Sequence, residues 1–252
     1  DNTFTQGVIL IANIVQDAKI HSLSVYNSSS DGIAFRKAKG ITIDSVEVKL
    51  ADSDGVFIDS SSNCFLTNVT ANISGNNGFF FIDLASSSLD NCIGKGSTDS
   101  GFLIANNSYF IIPTTFLQCI SSGNSAEGFD ITNLEHWSFL GCTATDNDGD
   151  GIDFASSQQV AVIGCTFRGN GLYGIAMTSF NEGQIVGNSF VENTSGDIHI
   201  DSGSDNLIFG NSHQASSELT TNKSIVVDDG NYNYILDNRI PITQQQKMTK
   251  MQ

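Results

Sequence analysis

The sequence predicts an all-β fold, a single chain wound into a parallel solenoid of about ten turns, and three observations predict it. A five-residue motif recurs at a nearly constant spacing along the chain. Within every copy the two positions flanking the variable residue are apolar. The composition, with 24 Gly, 24 Asn and 50 Ser plus Thr but only 2 Pro in 252 residues, suits short strands and corners. Asn, Ser and Gly compete with helical hydrogen bonding and favour turns.

The motif is a small or polar residue, then Gly, then apolar-x-apolar. It reads Asp31-Gly32-Ile33-Ala34-Phe35, Asp54-Gly55-Val56-Phe57-Ile58, Asn77-Gly78-Phe79-Phe80-Phe81 and Ser100-Gly101-Phe102-Leu103-Ile104. It continues as Glu127-Gly128-Phe129-Asp130-Ile131, Asp150-Gly151-Ile152-Asp153-Phe154 and Tyr173-Gly174-Ile175-Ala176-Met177. The glycines are 23 residues apart except for 27 between Gly101 and Gly128. Extending the frame places Asp197 and Ser224 at the glycine position, and Gly7 opens the series with Val8 and Leu10 as flanking residues around Ile9. Apolar residues at both flanks of all ten copies have a chance probability on the order of 10⁻⁸.

A second column lies fourteen residues after the glycine: Val46, Val69, Cys92, Cys142, Cys165, Asn188, Asn211 and Asn238, with Cys119 joining once a four-residue insertion is allowed for. That insertion carries Pro113, which a central paired strand would exclude. Insertions are expected near 108–114 and 213–222. The repeat spans residues 1–240, and the polar segment 241–252 leaves it as a tail or linker.

One such turn cannot bury its own apolar face and does so only by stacking on its neighbours. Ten turns at the strand spacing of about 4.8 Å give a rod of about 48 Å. On these repeats the chain resembles, over residues 7–240, the right-handed parallel β-helix superfamily of pectate lyases, polygalacturonases, mannuronan epimerases and phage tailspikes. The resemblance implies right-handedness, in line with the general preference for right-handed parallel crossovers. It also implies a saccharide groove on the outer face of the strand sheet, and an extracellular, cell-surface or virion location.

Charge narrows the partners. Lys plus Arg number 11 against 27 Asp plus Glu, a formal net charge of −16, which sets aside a phosphate backbone as a partner. No run of 18 apolar residues is present, so no membrane-spanning helix is expected. The start, Asp1-Asn2-Thr3, is that expected of a mature chain or an excised piece.

Several columns read as structure. Cys92, Cys119, Cys142 and Cys165 are expected as reduced core filler, because parallel Cβ vectors do not converge on a disulfide and a linear thiol stack lacks a tetrahedral site. Asn188, Asn211 and Asn238 are expected to form an amide ladder. The run Asp146-Asn147-Asp148-Gly149-Asp150 has the alternating oxygen ligands of a calcium loop, with calcium near Asp146, Asp148 and Asp150. Counted from Asp146, however, Ser157 stands where that loop requires a bidentate Glu. A polar corner is the alternative, and no other metal or cofactor is expected.

The outward residue of each motif turns acidic midway, as Leu103 gives way to Asp130 and Asp153, with Glu127 and Asp150 just before their glycines. Four carboxylates on two turns should raise one another's proton affinity, which suits a general acid beside a base or nucleophile. These four are the candidate catalytic residues. His136 and Trp137 are candidates to border a sugar site, Trp137 with the alternative of a corner aromatic. His199 lies too many turns away to join the chemistry directly. Phe57, Phe80 and Leu103 would form an exposed apolar ladder, covered by a terminal segment, serving as a sugar-stacking platform or forming a contact between subunits, by resemblance in a homotrimer or a larger surface assembly. Arg36 is expected to pair with Asp59.

The motif sets of polygalacturonases, epimerases and pectate lyases are not present. Two functions therefore stand: a glycan-engaging, tailspike-type domain with or without polysaccharide hydrolase or lyase activity, and a non-catalytic structural or adhesin segment of a larger protein.

Overall fold

The computed structural model describes residues 3–4, 9–12, 16–107, 113–214, 223–227 and 232–239. Among these, every regular element is a strand, and successive turns pair in parallel. Each motif supplies one strand of a ten-stranded sheet, running from Ile9–Ala12 to Lys223–Val227. The rest of each turn builds a second sheet of seventeen strands.

The first turns enter the larger sheet as eight-residue strands, Lys19–Tyr26, Thr42–Lys49 and Phe65–Asn72. Later turns replace each with two three-residue strands, such as Ser138–Leu140 and Thr143–Thr145. The break falls beside a left-handed residue, Asn91 and Gln118, then Gly141, Gly164, Gly187 and Gly210; Ser45 and Asn68 hold the same left-handed position inside the unbroken strands. Glycine adopts positive φ without a Cβ penalty, and Asn tolerates it by local hydrogen bonding, so the composition is explained by its corners.

The marker glycines answer a different need. A Cβ on Gly128 or Gly151 would lie 2.5 Å from the carbonyl oxygen of the next marker, so the turns stack closely only without one. Asp197 occupies the same column, and its carboxylate is buried against His213 Nδ1 at 3.1 Å.

Inside, like residues stack on like. Phe102 lies between Phe79 and Phe129 with ring centroids 4.6 and 4.8 Å away, and Phe116 stacks on Phe139 at 4.9 Å. Offset aromatic stacking adds to the burial of apolar area, which is the main stabilising term. The amide ladder is present: Asn188 Nδ2 donates to Asn211 Oδ1 at 3.0 Å, and Asn211 Nδ2 to Asn238 Oδ1 at 2.9 Å. A second ladder runs Asn124, Asn147, Asn170 and Asn193, with each amide of the first three donating to the next at 2.8 to 3.0 Å. Asn206 donates to Asn233 in a third column.

All five cysteines are free and buried. Burial pushes the Cys64 thiol up to about 11. The thiols of the column donate to backbone carbonyls, Cys165 Sγ to Phe139 O at 3.4 Å among them. Cys64, in a column nine residues after the glycine, takes the place that Trp137 and Val160 fill further along.

Three sequence expectations change. Ile9 pairs with Ile33 and Leu10 with Ala34, one residue off the frame counted from Gly7, because the first turn is 24 residues long rather than 25. In a strand a one-residue shift exchanges the two faces. Trp137 is not at the surface; it is 1% exposed and stacks on Phe116, so it packs as an interior aromatic and is withdrawn from any sugar site. The ladder of Phe57, Phe80 and Leu103 is not fully open either. Phe57 is buried, with the Arg36 guanidinium 4.8 Å above its ring and Phe80 at 5.3 Å, while Phe80 and Leu103 are half-buried. Over Phe57 the cover comes from the chain's own Arg36, which also reaches Asp59 at 3.8 Å, while Phe80 and Leu103 keep part of their surface open. The tail 241–252 and most of both insertions lie outside the described residues.

Candidate functional site

The outer face of the ten-stranded sheet carries the acidic residues. Strands Phe129–Thr132 and Ile152–Ala155 lie side by side with Asp130 opposite Asp153. Their neighbours Phe129, Ile131, Ile152 and Phe154 are fully buried, and this period-2 alternation turns both carboxylates outward. Leu103 flanks Asp130 on one side and Ala176 flanks Asp153 on the other.

Glu127 and Asp150 border the sheet one residue before the marker glycines. Ser100 Oγ donates to Glu127 Oε2 at 3.4 Å. Asp150 is 7% exposed and accepts the Tyr173 backbone N–H at 2.6 Å.

The proton affinities follow from this placement. Asp130 is pushed up to about 6, first by burial and then by Glu127, Asp153 and Asp99. Asp150 is pushed up to about 7, mainly by burial, with the Tyr173 amide acting against it, Asp153 and Glu127 adding to it, and His199 drawing it down. Burial and then Glu127 raise Asp153. Sequence reasoning expected mutual repulsion to dominate; the structure puts desolvation first. An acid with a pKa near 7 is half protonated at neutral pH and one near 6 keeps its proton in about a tenth of molecules, so both exchange protons in the range where general acid–base chemistry operates.

Two residues were missed. Asp99 sits two residues before Gly101. Tyr173 precedes Gly174 in the column of Glu127 and Asp150, and that shared offset was the signal available. His199, set aside from direct chemistry on its distance along the stack, stacks on Tyr173 at 4.6 Å and acts on Asp150 electrostatically. His136 stands exposed at a left-handed corner, 3.5 Å from Glu135.

The run singled out as a calcium loop forms a corner. Asn147 is buried and donates to Asn170, while Asp146 and Asp148 are exposed and Asp150 faces Tyr173. Among the described residues no three His, Cys, Asp or Glu side chains are grouped to hold a metal ion. A shallow depression lined by Ser156, Ser157, Gln158, Ser179 and Asn181 lies at the corner after Ile152–Ala155 and includes none of the four carboxylates.

The raised carboxylates set a sign for pH dependence. The folded chain binds protons at Asp130 and Asp150 that the unfolded chain, titrating near 4, has released, so stability is lost as pH rises through about 6 and 7. A melting temperature higher at pH 5 than at pH 8 is expected, by a few kcal/mol in stability. Asp130→Asn should flatten part of the slope; a wild-type melting temperature that is level or rises over this range contradicts the assignment.

The family model described as "Right handed beta helix region" matches residues 7–160 and 131–245. The chain belongs to the right-handed β-helix family. No curated protein matches the chain in sequence. Among solved structures, this β-helix is similar to Geobacillus virus E2 ORF18, at a TM-score of 0.70 and 13% identity, covering 94% of this chain and 53% of that one. It is similar to the enzymatically active domain of bacteriophage CBA120 tailspike protein 2, at 0.69 and 12%, covering 88% and 41%. The A-module of Azotobacter vinelandii mannuronan C-5 epimerase AlgE4 aligns at 0.62 and 14%, covering 95% and 83%. The chain thus spans about half of the viral proteins' length and most of the epimerase module. At these identities the likeness establishes the β-helix fold. No helix among the described residues is long and apolar enough to cross a membrane.

Proposed function

We propose that this β-helix engages a polysaccharide on the outer face of its ten-stranded sheet, and that Asp130 and Asp153 hydrolyse it. The observation that carries the proposal is the pairing of two half-buried carboxylates one turn apart, with Asp130 pushed up to about 6. Asp130 serves as the general acid and Asp153 as the base or nucleophile, with Glu127 and Asp150 holding the local field. Turns spaced by about 4.8 Å place the two carboxyls nearer the separation of about 5 Å used by retaining glycosidases than the wider inverting one. No Lys or Arg is among the groups that shift Asp130, Asp150 or Asp153, which favours hydrolysis over an elimination that must neutralise a uronate. Support for a polysaccharide comes from neighbours described as a mannuronan epimerase and an enzymatically active tailspike domain, and a location outside the cell or on a virion belongs to the same proposal.

The test is a polysaccharide-digestion and glycan-array panel on wild type, Asp130→Asn and Asp153→Asn. Cleavage by the wild type that falls at least a hundredfold in each variant supports the hydrolase. The openness of the carboxylate face favours one second reading, a lectin-like module, for which binding without cleavage is the expected result. Silence across the panel overturns both and leaves a structural or adhesin segment.

A further inference from the structure

The large exposed apolar side chains are not where the sequence placed an apolar ladder. Leu117, Leu140, Ile163, Val186, Phe209 and Leu236 stand directly opposite one another on six consecutive turns of the seventeen-stranded sheet. Leu117, Ile163, Phe209 and Leu236 are 38 to 52% exposed and the other two are half-buried. The result is a straight apolar stripe parallel to the solenoid axis.

Charge sets this stripe apart. The six three-residue strands that carry it, from Thr115–Leu117 to Tyr234–Leu236, contain no Asp, Glu, Lys, Arg or His, in a chain of net charge −16. Earlier strands of the same sheet carry Lys19, His21, Asp44 and Asp90 on their outer side. Beside the stripe, Gly164, Gly187 and Gly210 leave the corner without side chains, and a Cβ at any of them would meet nothing within 4 Å. The rim is charged: exposed Glu182 and Asp205, with His136 in their column, lie on one edge, and exposed Arg168 and Arg239, with Asp237 and, one column further out, Asp146 and Glu192, on the other. An apolar centre free of charge inside a polar rim is the anatomy of a protein interface.

We propose that the stripe is the contact between copies of this chain, packed side by side with parallel axes. The rung repeat selects the occupant, because a partner meets all six rungs in register only if it repeats at the same strand spacing, as a second copy does. The rim selects the direction. Rotation about an axis parallel to the solenoid brings the Glu182 edge of one copy against the Arg168 edge of the next, whereas an antiparallel pair sets like edges together. Mutual repulsion between strongly acidic chains also restricts close contact to a face without charge. Six rungs cover about 29 Å of axis and three residues about 10 Å of width, so the stripe offers a few hundred Å², less than the roughly 800 Å² per partner of a standard stable pair. The association is therefore concentration-dependent for two copies and strengthens where a closed ring lets each copy use both rims.

Sedimentation equilibrium on the full chain tests this. The expected result is an integer multiple of 26.9 kDa at several hundred micromolar, reverting to one chain in the double variant Ile163→Asp, Phe209→Asp with an unchanged circular dichroism spectrum. Both sites are exposed, so the fold should tolerate them. Should the double variant fail to fold, Ile163→Cys provides the second measurement: parallel copies bring this position against itself, and mild oxidation should give a linked dimer while Phe80→Cys gives none. A wild type that stays monomeric at that concentration, whether the stripe is covered by its own residues 241–252, by a glycan or by nothing, overturns the proposal. So does association that the Asp substitutions leave undiminished, or an Ile163→Cys chain that associates without linking.

Discussion

Replacing Ile131 with Asp is expected to remove more than about 4 kcal/mol of stability, a large share of the 5–15 kcal/mol that folded domains possess. Ile131 is fully buried between Ile104 and Phe154 in the inner column of the ten-stranded sheet. The substitution deletes apolar contacts and places a carboxylate where both neighbours are hydrocarbon, so the charge finds neither water nor a hydrogen-bond donor. Each turn is held only by the turns on either side, so the defect splits the stack rather than staying local. Ile131→Val, which trims one methylene, should cost only about 1 kcal/mol. Denaturant titration of the two variants gives the comparison, and an Asp variant within 2 kcal/mol of the Val variant would refute the inward placement.

Asn170→Asp is expected to destabilise the chain by several kcal/mol at pH 8 and by much less at pH 4. Asn170 is fully buried in the second amide ladder. Its Nδ2 donates to Ala144 O at 3.1 Å and to Asn193 Oδ1 at 2.9 Å, while its Oδ1 accepts from Asn147 Nδ2 at 3.0 Å and from the Asn147 backbone N–H at 3.3 Å. A carboxylate keeps the accepting side and turns the donating side into an oxygen facing two acceptors. Burial raises the pKa of the new group above its unfolded value, so the penalty is greatest above the folded pKa and shrinks as acid protonates it. Asn91→Asp provides the contrast: Asn91 is exposed, and its bond to Asn68 Oδ1 lies at the surface, so the loss there should stay below about 1 kcal/mol. Equal losses at the two positions, or a loss at Asn170 that does not change with pH, would show that the ladder does not depend on the amide donor.

Much of the candidate site was legible in the residues. Asp130 and Asp153 fall at the variable position of two successive motifs, and a 23-residue turn sets them opposite each other. Their elevated proton affinity was expected for the wrong leading reason, because repulsion can be counted from the sequence whereas desolvation depends on how the sheet face is covered. His199, two turns beyond Asp153, stacks on Tyr173 and lowers Asp150 electrostatically, an influence that only the packed structure shows.

What the sequence by itself determined was the turn and the direction of each inward side chain. Close stacking favours Gly at the marker, left-handed corners favour Gly, Asn and Ser, and the core demands apolar residues at alternate positions, so these constraints are written at fixed offsets and recur in most copies. What the tertiary structure decided was everything on the outside and at the irregular turns. Trp137 and Cys64 share a column that carries no common residue type, Ile9 takes its register from the pairing of a 24-residue turn, and Arg36 covers Phe57 although the motif alone leaves that ring open. The stripe from Leu117 to Leu236 lies on strands too short to show an alternation. Outward residues bear no steric requirement that repeats with the turn, so their burial is a collective property of neighbouring turns and corners, set when the solenoid closes and not before.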